Sequence, residues 1–345
     1  MISVPACYFS IGTMLVRATK LFFAKNYSVS STGNLLYFLK DRALLRVDGA
    51  DASHFLQGLI TNDVSHLNGT PGSMFAMFLN LKGRVLCDSI IYKHEEDKFL
   101  IECDVQGATT LHKHLKMYKV RRKVNLDHLG DRRLYALWNS EFGGLDMKES
   151  FPQSSSEVRI HKGLIIFKDP RVASLGYRII AEDTEDVKAE LSNIIECTMA
   201  DYSRYRALRY TLGVGEGPKE LPPGNCFPLE CNCDYLHGIS FHKGCYLGQE
   251  LTARIYHTGV IRKRLMPLVF TKTATILPEQ NIIIHEGVNL GKLRGVEGNV
   301  GLGLMRVTQA LDVGTVKVGN GEAVIEKPKW WPLELPKEKV NLPKM

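Results

Sequence analysis

No acidic residue precedes Asp41, and no stretch of the chain approaches the roughly 18 consecutive apolar residues that a membrane-spanning helix requires. The chain also has no GxGxxG, no P-loop and no HExxH. Nicotinamide, ATP and thermolysin-like chemistry thereby lose their simplest support. Paired CxxC motifs are missing too. The eight cysteines, Cys7, Cys87, Cys103, Cys197, Cys226, Cys231, Cys233 and Cys245, follow no repeating interval. A chain of 345 residues buries a sizeable core without staples, so reduced thiols in a cytosolic or organellar compartment are expected.

The acid-free start is basic and amphipathic. In "IGTMLVRATKLFFAK", Ile11, Leu15, Ala18 and Phe22 fall near one helical face, with Arg17, Lys20 and Lys25 largely elsewhere. That pattern reads as a mitochondrial presequence over 1–34, whereas a secretory signal wants an unbroken apolar run after its basic residues. The net charge of +7 favours anionic partners, but the basic residues are spread along the chain. The densest runs, Lys119-Val120-Arg121-Arg122-Lys123 and Arg262-Lys263-Arg264, read either as solvated faces or as anion-facing patches. No nucleic-acid-binding pattern accompanies them, so nucleic acid is not an expected partner.

After the presequence, periodicity predicts an α+β chain. Strands are expected at "LLYFLK" and "ALLRVDG", and a helix from Asp51 with Phe55, Leu56 and Leu59 inside. A meander follows, with strands ending near Asn80 and covering Val85–Tyr92 and Phe99–Cys103, around a turn at Lys82-Gly83. "GATTLHKHLKMYKV" predicts a helix; "KVNLDHL", "RRLYALWN", "LIIFKDPR" and "LGYRIIAED" predict strands. An acidic helix is expected near Glu185–Glu196 and another in "DYSRYRALRYTLGVG". "GPKELPPGNCFPLECNCD" is too rich in Pro and Gly for regular structure and reads as a long loop. Beyond Arg262, short glycine-punctuated β runs suggest a small barrel or sandwich. The expected division is 35–150 and 200–261 as interleaved domains, 151–199 as part of a central α+β domain, 262–330 as a β-barrel and 331–345 as a tail.

The densest chemistry lies in "SFHKGCYLGQELTARIYHTGVIRKRL", Ser240–Leu265. Gly244 and Gly248 flank Cys245, while Lys243 and His242 could favour its thiolate if their side chains converge on it. Spacing leaves Cys245 open as a buried structural thiol, a functional thiol or a metal ligand. His257 and Glu250 do not make a triad by spacing alone. Cys226, Cys231 and Cys233 match neither a zinc set nor a ferredoxin run and read as structural thiols. Asp88 ends an apolar run and could approach a ligand. Arg178, inside the apolar "LGYRII", is either an edge-strand residue or a buried partner for a carboxylate.

"VDGADASHFLQGLITNDV", "NLKGRVLCDSIIY" and above all "KGCYLGQELTAR" resemble the iron–sulfur assembly branch of the folate-binding aminomethyltransferase superfamily. The resemblance covers about 35–330 and, with the basic leader, is greatest to a mitochondrial member acting late in [4Fe–4S] protein maturation. It implies a multi-domain fold with mixed and antiparallel sheets, a C-terminal β-barrel and a central opening for tetrahydrofolate. It implies matrix localisation and a transient iron–sulfur intermediate. The implied partners are A-type scaffold proteins and [4Fe–4S] apoproteins such as aconitase and lipoate synthase; a monomer is the expected state.

By the same resemblance Cys245 is the functional thiol. Asp88, Arg178, Lys243 and Arg254 are expected to meet folate or another anion. Gly244, Tyr246, Gly248, Gln249 and Glu250 shape the motif turn, and Arg262 and Arg264 face a partner or anion. The acid pair of the true aminomethyltransferases is here Cys87-Asp88, and their TGE segment is replaced near "SLGYRII". Aminomethyl transfer therefore does not follow. A folate-dependent one-carbon or methyl transferase and a non-catalytic binding protein are the alternatives.

Overall fold

A computed structural model describes residues 33–139, 150–259, 261–271 and 280–332. The expected presequence lies outside these residues except at its end, where Asn34 already stands in a strand. Most of the expected tail lies outside them as well.

Five strands form an antiparallel sheet in the order β3 (Gly72–Leu79), β4 (Val85–Glu95), β5 (Lys98–Asp104), β2 (Arg42–Asp48) and β6 (Asn125–Leu129). Helices α1 (Ala52–Gln57) and α2 (Val105–Lys119) cover one face of it. Phe55 and Leu56 of α1, and Leu111 and Leu115 of α2, pack there with Val47, Phe78, Ile91 and Ile101. The helical and strand periods of the sequence thus meet in one apolar layer.

A second, six-stranded sheet runs β11 (Cys197–Ala200), β1 (Asn34–Phe38), β7 (Arg132–Asn139), β10 (Tyr177–Glu182), β9 (Leu164–Lys168) and β8 (Val158–His161). Its β1–β11 pair is parallel and its other pairs are antiparallel. The sheet content is therefore mixed, as expected. Of the acidic helix expected near Glu185–Glu196, only α3 (Val187–Leu191) forms. Asp186 caps its start, and the Ser192 hydroxyl turns back to the Ala189 carbonyl at its end, competing with helix continuation.

The C-terminal strands close into a barrel in the order β12 (Lys263–Phe270), β15 (Val300–Arg306), β14 (Val288–Glu297), β13 (Ile282–His285), β16 (Thr315–Val318) and β17 (Gly321–Ile325). Helix α4 (Tyr202–Thr211) joins the barrel to the sheets. Its Tyr205, Leu208 and Tyr210 share one core with Tyr37 and Tyr92 of the sheets and Leu265, Leu302 and Leu304 of the barrel. The β8 and β11 strands, and helices α5 (Gln249–Thr258) and α6 (Val307–Val313), were not anticipated from periodicity.

Candidate functional site

The Ser240–Leu265 segment is stitched onto the turn that follows α1. Ser240 N donates to Thr61 O at 3.1 Å, and Leu247 N to Gly58 O at 3.0 Å. The Lys243 ammonium enters the same turn, donating to the carbonyls of Gln57 (2.7 Å), Ile60 (2.9 Å) and Asn62 (2.6 Å). Gln57 is the last residue of α1 and Ile60 and Asn62 lie in the turn after it, so one cation bridges the helix end to the turn. Burial pulls the Lys243 ammonium down to about 8, and Asp63 partly opposes the shift.

Cys245 stands two residues on and is exposed, whereas Cys87, Cys103, Cys197, Cys226, Cys231 and Cys233 are buried. Lys243 and Tyr246, on either side of it in sequence, both point inward. The backbone therefore presents the thiol outward from an anchored loop. A Cβ added at Gly244 would meet nothing within 4 Å. The Tyr246 amide donates to Gln249 Oε1 at 3.0 Å. Gly248 is left-handed (φ 78°) and starts α5, which Gly259 (φ 82°) ends. On α5, Glu250 and Arg254 form an exposed i,i+4 ion pair at 2.7 Å.

Two sequence expectations need correction. The Lys243 ammonium is not presented at the surface for an incoming anion, because it is turned inward onto three carbonyls. Arg264 is not a surface contact. It is buried, grips both carboxylate oxygens of Asp234 at 2.8 Å, donates to Leu229 O and lies 3.6 Å above the Tyr235 ring. Arg262, two residues earlier, is exposed.

Asp88 and Arg178 belong to a different place, a buried charge network between the two sheets. Arg42 of β2 reaches Glu102 at 2.8 Å and Asp88 at 3.2 Å. Arg178 of β10 and Arg171 both bond Glu216 Oε2, at 3.0 and 2.7 Å, and Arg171 also pairs with Asp169. Arg209 of α4 holds Glu220 at 2.6 Å. Burial favours the neutral form of Glu216, but Arg209, Arg42, Arg171 and Arg178 outweigh it and hold the carboxyl well below its ordinary range. Asp169 is likewise lowered, with Arg171 and Arg178 overcoming burial.

The four residues expected to meet folate do not form a folate cradle. Asp88 already accepts from Arg42 and from the Gly217 amide at 2.9 Å, and it is 3% exposed. Arg178 is fully buried against carboxylates, Lys243 is capped by carbonyls, and Arg254 lies on the exposed face of α5. A cavity of about 270 Å³ lies beside Cys87 and Thr110, but no charged side chain lines it to receive a pterin. Sequence reasoning found Asp88 and Arg178 but missed Arg42, Glu102, Asp169, Arg171, Arg209, Glu216 and Glu220. A charge inside an apolar run, as in Glu102 of "FLIECD" or Arg209 of "RALRY", was the available signal.

Two packed sheets joined by a helix to a closed barrel define an aminomethyltransferase-type fold. The glycine cleavage system aminomethyltransferase T of Bartonella henselae superposes with a TM-score of 0.69 over 87% of each chain, at 16% identity. Residues 262–333 match the family described as CAF17, C-terminal beta-barrel domain. The human mitochondrial iron–sulfur cluster assembly factor IBA57 is 38% identical over 313 residues, covering 85% of this chain and 84% of the human protein. The Neurospora crassa homologue is 36% identical over 317 residues, covering 79% and 70%. The chain belongs to the IBA57 family of mitochondrial iron–sulfur cluster assembly factors.

Proposed function

We propose that the chain acts late in the maturation of mitochondrial [4Fe–4S] proteins, in the matrix, with Cys245 as a transiently used thiol. One observation carries this reading: among the described residues Cys245 is the exposed cysteine, held on an anchored loop while six others are buried. Its partners in this reading are A-type scaffold proteins and apoproteins of the aconitase and lipoate-synthase kind. The thiol contacts a cluster-bearing or thiol-bearing partner and releases it. Arg254 and Arg262, both exposed, favour an acidic rim on that partner. No folate step is assigned to named residues in this reading, because Asp88 and Arg178 are engaged in buried ion pairs, Lys243 by backbone carbonyls and Arg254 by Glu250.

Depletion and rescue in mitochondria test the proposal, with aconitase activity and protein lipoylation as readouts. Both fall on depletion and return with the unchanged chain but not with Cys245→Ser. Normal values after depletion would remove the assembly role. Full rescue by Cys245→Ser would remove the thiol role alone.

A further inference from the structure

The basic run after α2 carries a feature that the assembly role leaves unused. Leu111 and Leu115 seat α2 on the five-stranded sheet, and at 100° per residue Lys113 and Met117 fall on the opposite side. Met117 is 68% exposed and Val120, which ends the helix, is 80% exposed. The chain then turns sharply, with Arg122 N donating to Lys119 O and Val124 N to Arg122 O, both at 3.0 Å, before returning as β6. Lys113, Lys116 and Arg121 are exposed around this tip, and Lys119 and Arg122 are partly so. Among the described residues, none of these five cations has a carboxylate partner. Asp51 lies at the base of the turn, where it accepts the Lys123 backbone amide at 2.7 Å.

Val120 adopts φ 47°, ψ −111°. A β-branched residue rarely occupies positive φ, and glycine is the usual choice at such a helix end. The isolated chain therefore holds a strained valine in water beside a methionine in water, and no internal packing offsets either cost. Five cations alone would serve a polyanion, which gains nothing from two apolar side chains at the apex. An anionic bilayer uses both features: apolar side chains enter the headgroup–acyl boundary while Lys and Arg meet lipid phosphates.

We propose that the Lys113–Arg122 tip docks the protein peripherally on an anionic phospholipid bilayer, with Met117 and Val120 inserted and the surrounding cations on the headgroups. This is surface attachment. No helix among the described residues is long and apolar enough to cross a membrane.

The test uses the full chain with vesicles of phosphatidylcholine alone or mixed with phosphatidylserine. Binding to the mixed vesicles is expected to exceed that to neutral ones and to weaken with salt. Lys116→Gln and Arg121→Gln should each lower it about fivefold. Val120→Gly should lower it on the order of tenfold, yet it relieves the positive-φ strain, so its thermal stability should hold or rise. A loss of binding in that variant is then not a loss of fold. Because residues 1–34 are also basic, Val120→Trp locates the contact: its added emission should be quenched by lipids brominated in the acyl chains.

Equal binding to neutral and mixed vesicles would overturn the proposal, as would added emission from Val120→Trp that the brominated lipids leave unquenched. Binding unchanged by Val120→Gly but abolished by the charge variants, with heparin competing, would assign the tip to an acidic polymer instead.

Discussion

Gly83 and Gly248 pack backbone against backbone: a Cβ on Gly83 would lie 2.8 Å from the Gly248 carbonyl oxygen. In return, a Cβ on Gly248 would collide with the carbonyl of Asn80. The β3–β4 turn is thereby locked to the start of α5, immediately after Cys245. Gly248 also has φ 78°. Gly248→Ala therefore combines strain and collision and should cost about 2–4 kcal/mol. Gly244→Ala, where the space is open, should stay within about 0.5 kcal/mol. Chemical denaturation of the two variants checks the contrast, and equal costs would contradict it.

Cysteine exposure sets an order of reaction. In the native protein a maleimide should modify Cys245 well before Cys87, Cys103, Cys197, Cys226, Cys231 or Cys233, all of which are buried. Peptide mapping after brief labelling reads this directly. Cys245→Ser should leave the melting temperature nearly unchanged, since no core contact is lost.

Apart from β8 and β11, the strands of both sheets and the barrel were legible because apolar residues alternate or run continuously between Gly and Pro punctuation. Helix α5 was not. "QELTARIYHT" lies among glycines that read as a turn, and those glycines instead bracket the helix at Gly248 and Gly259. The four-residue strands β8 and β11 are too short to show a period. At the candidate site, Cys245 was found through the motif that surrounds it. The inward turn of Lys243 was not, because its carbonyl partners lie more than 180 residues away. The buried network is equally non-local: Arg42 of β2 meets Glu216, which lies in the segment after α4, only in the folded chain. Burial of a charge depends on that assembly, and spacing in the chain does not report it.

Lys243→Met should expose the need for a cation beneath the motif. It leaves the Gln57, Ile60 and Asn62 carbonyls without the ammonium they share. Unpaired buried acceptors and a loosened loop should cost about 2–4 kcal/mol. The maleimide reaction at Cys245 should change in rate as the loop loses its tether. A variant of wild-type stability and unchanged Cys245 reactivity would show that the loop is held by its backbone contacts alone.

Glu216 fixes the direction of the acid response. Burial alone would raise its pKa, but four arginines hold it well below its ordinary 4.5. As pH falls through about 4.5, the unfolded chain takes up a proton at this position while the folded chain does not. The unfolded state then binds more protons, so stability declines with acid. The contribution is fully present above the unfolded value and is lost as pH falls through the folded one. Asp169, also lowered, acts in the same sense. Glu216→Gln keeps the shape but leaves Arg171 and Arg178 short of a carboxylate, which should cost about 3–5 kcal/mol at neutral pH. The variant should also lose part of the acid slope. Denaturation midpoints of both proteins between neutral pH and about pH 3 test this: parallel curves would mean that folding does not shift the Glu216 pKa, and a wild-type advantage that grows with acid would mean that Glu216 is neutral in the folded core.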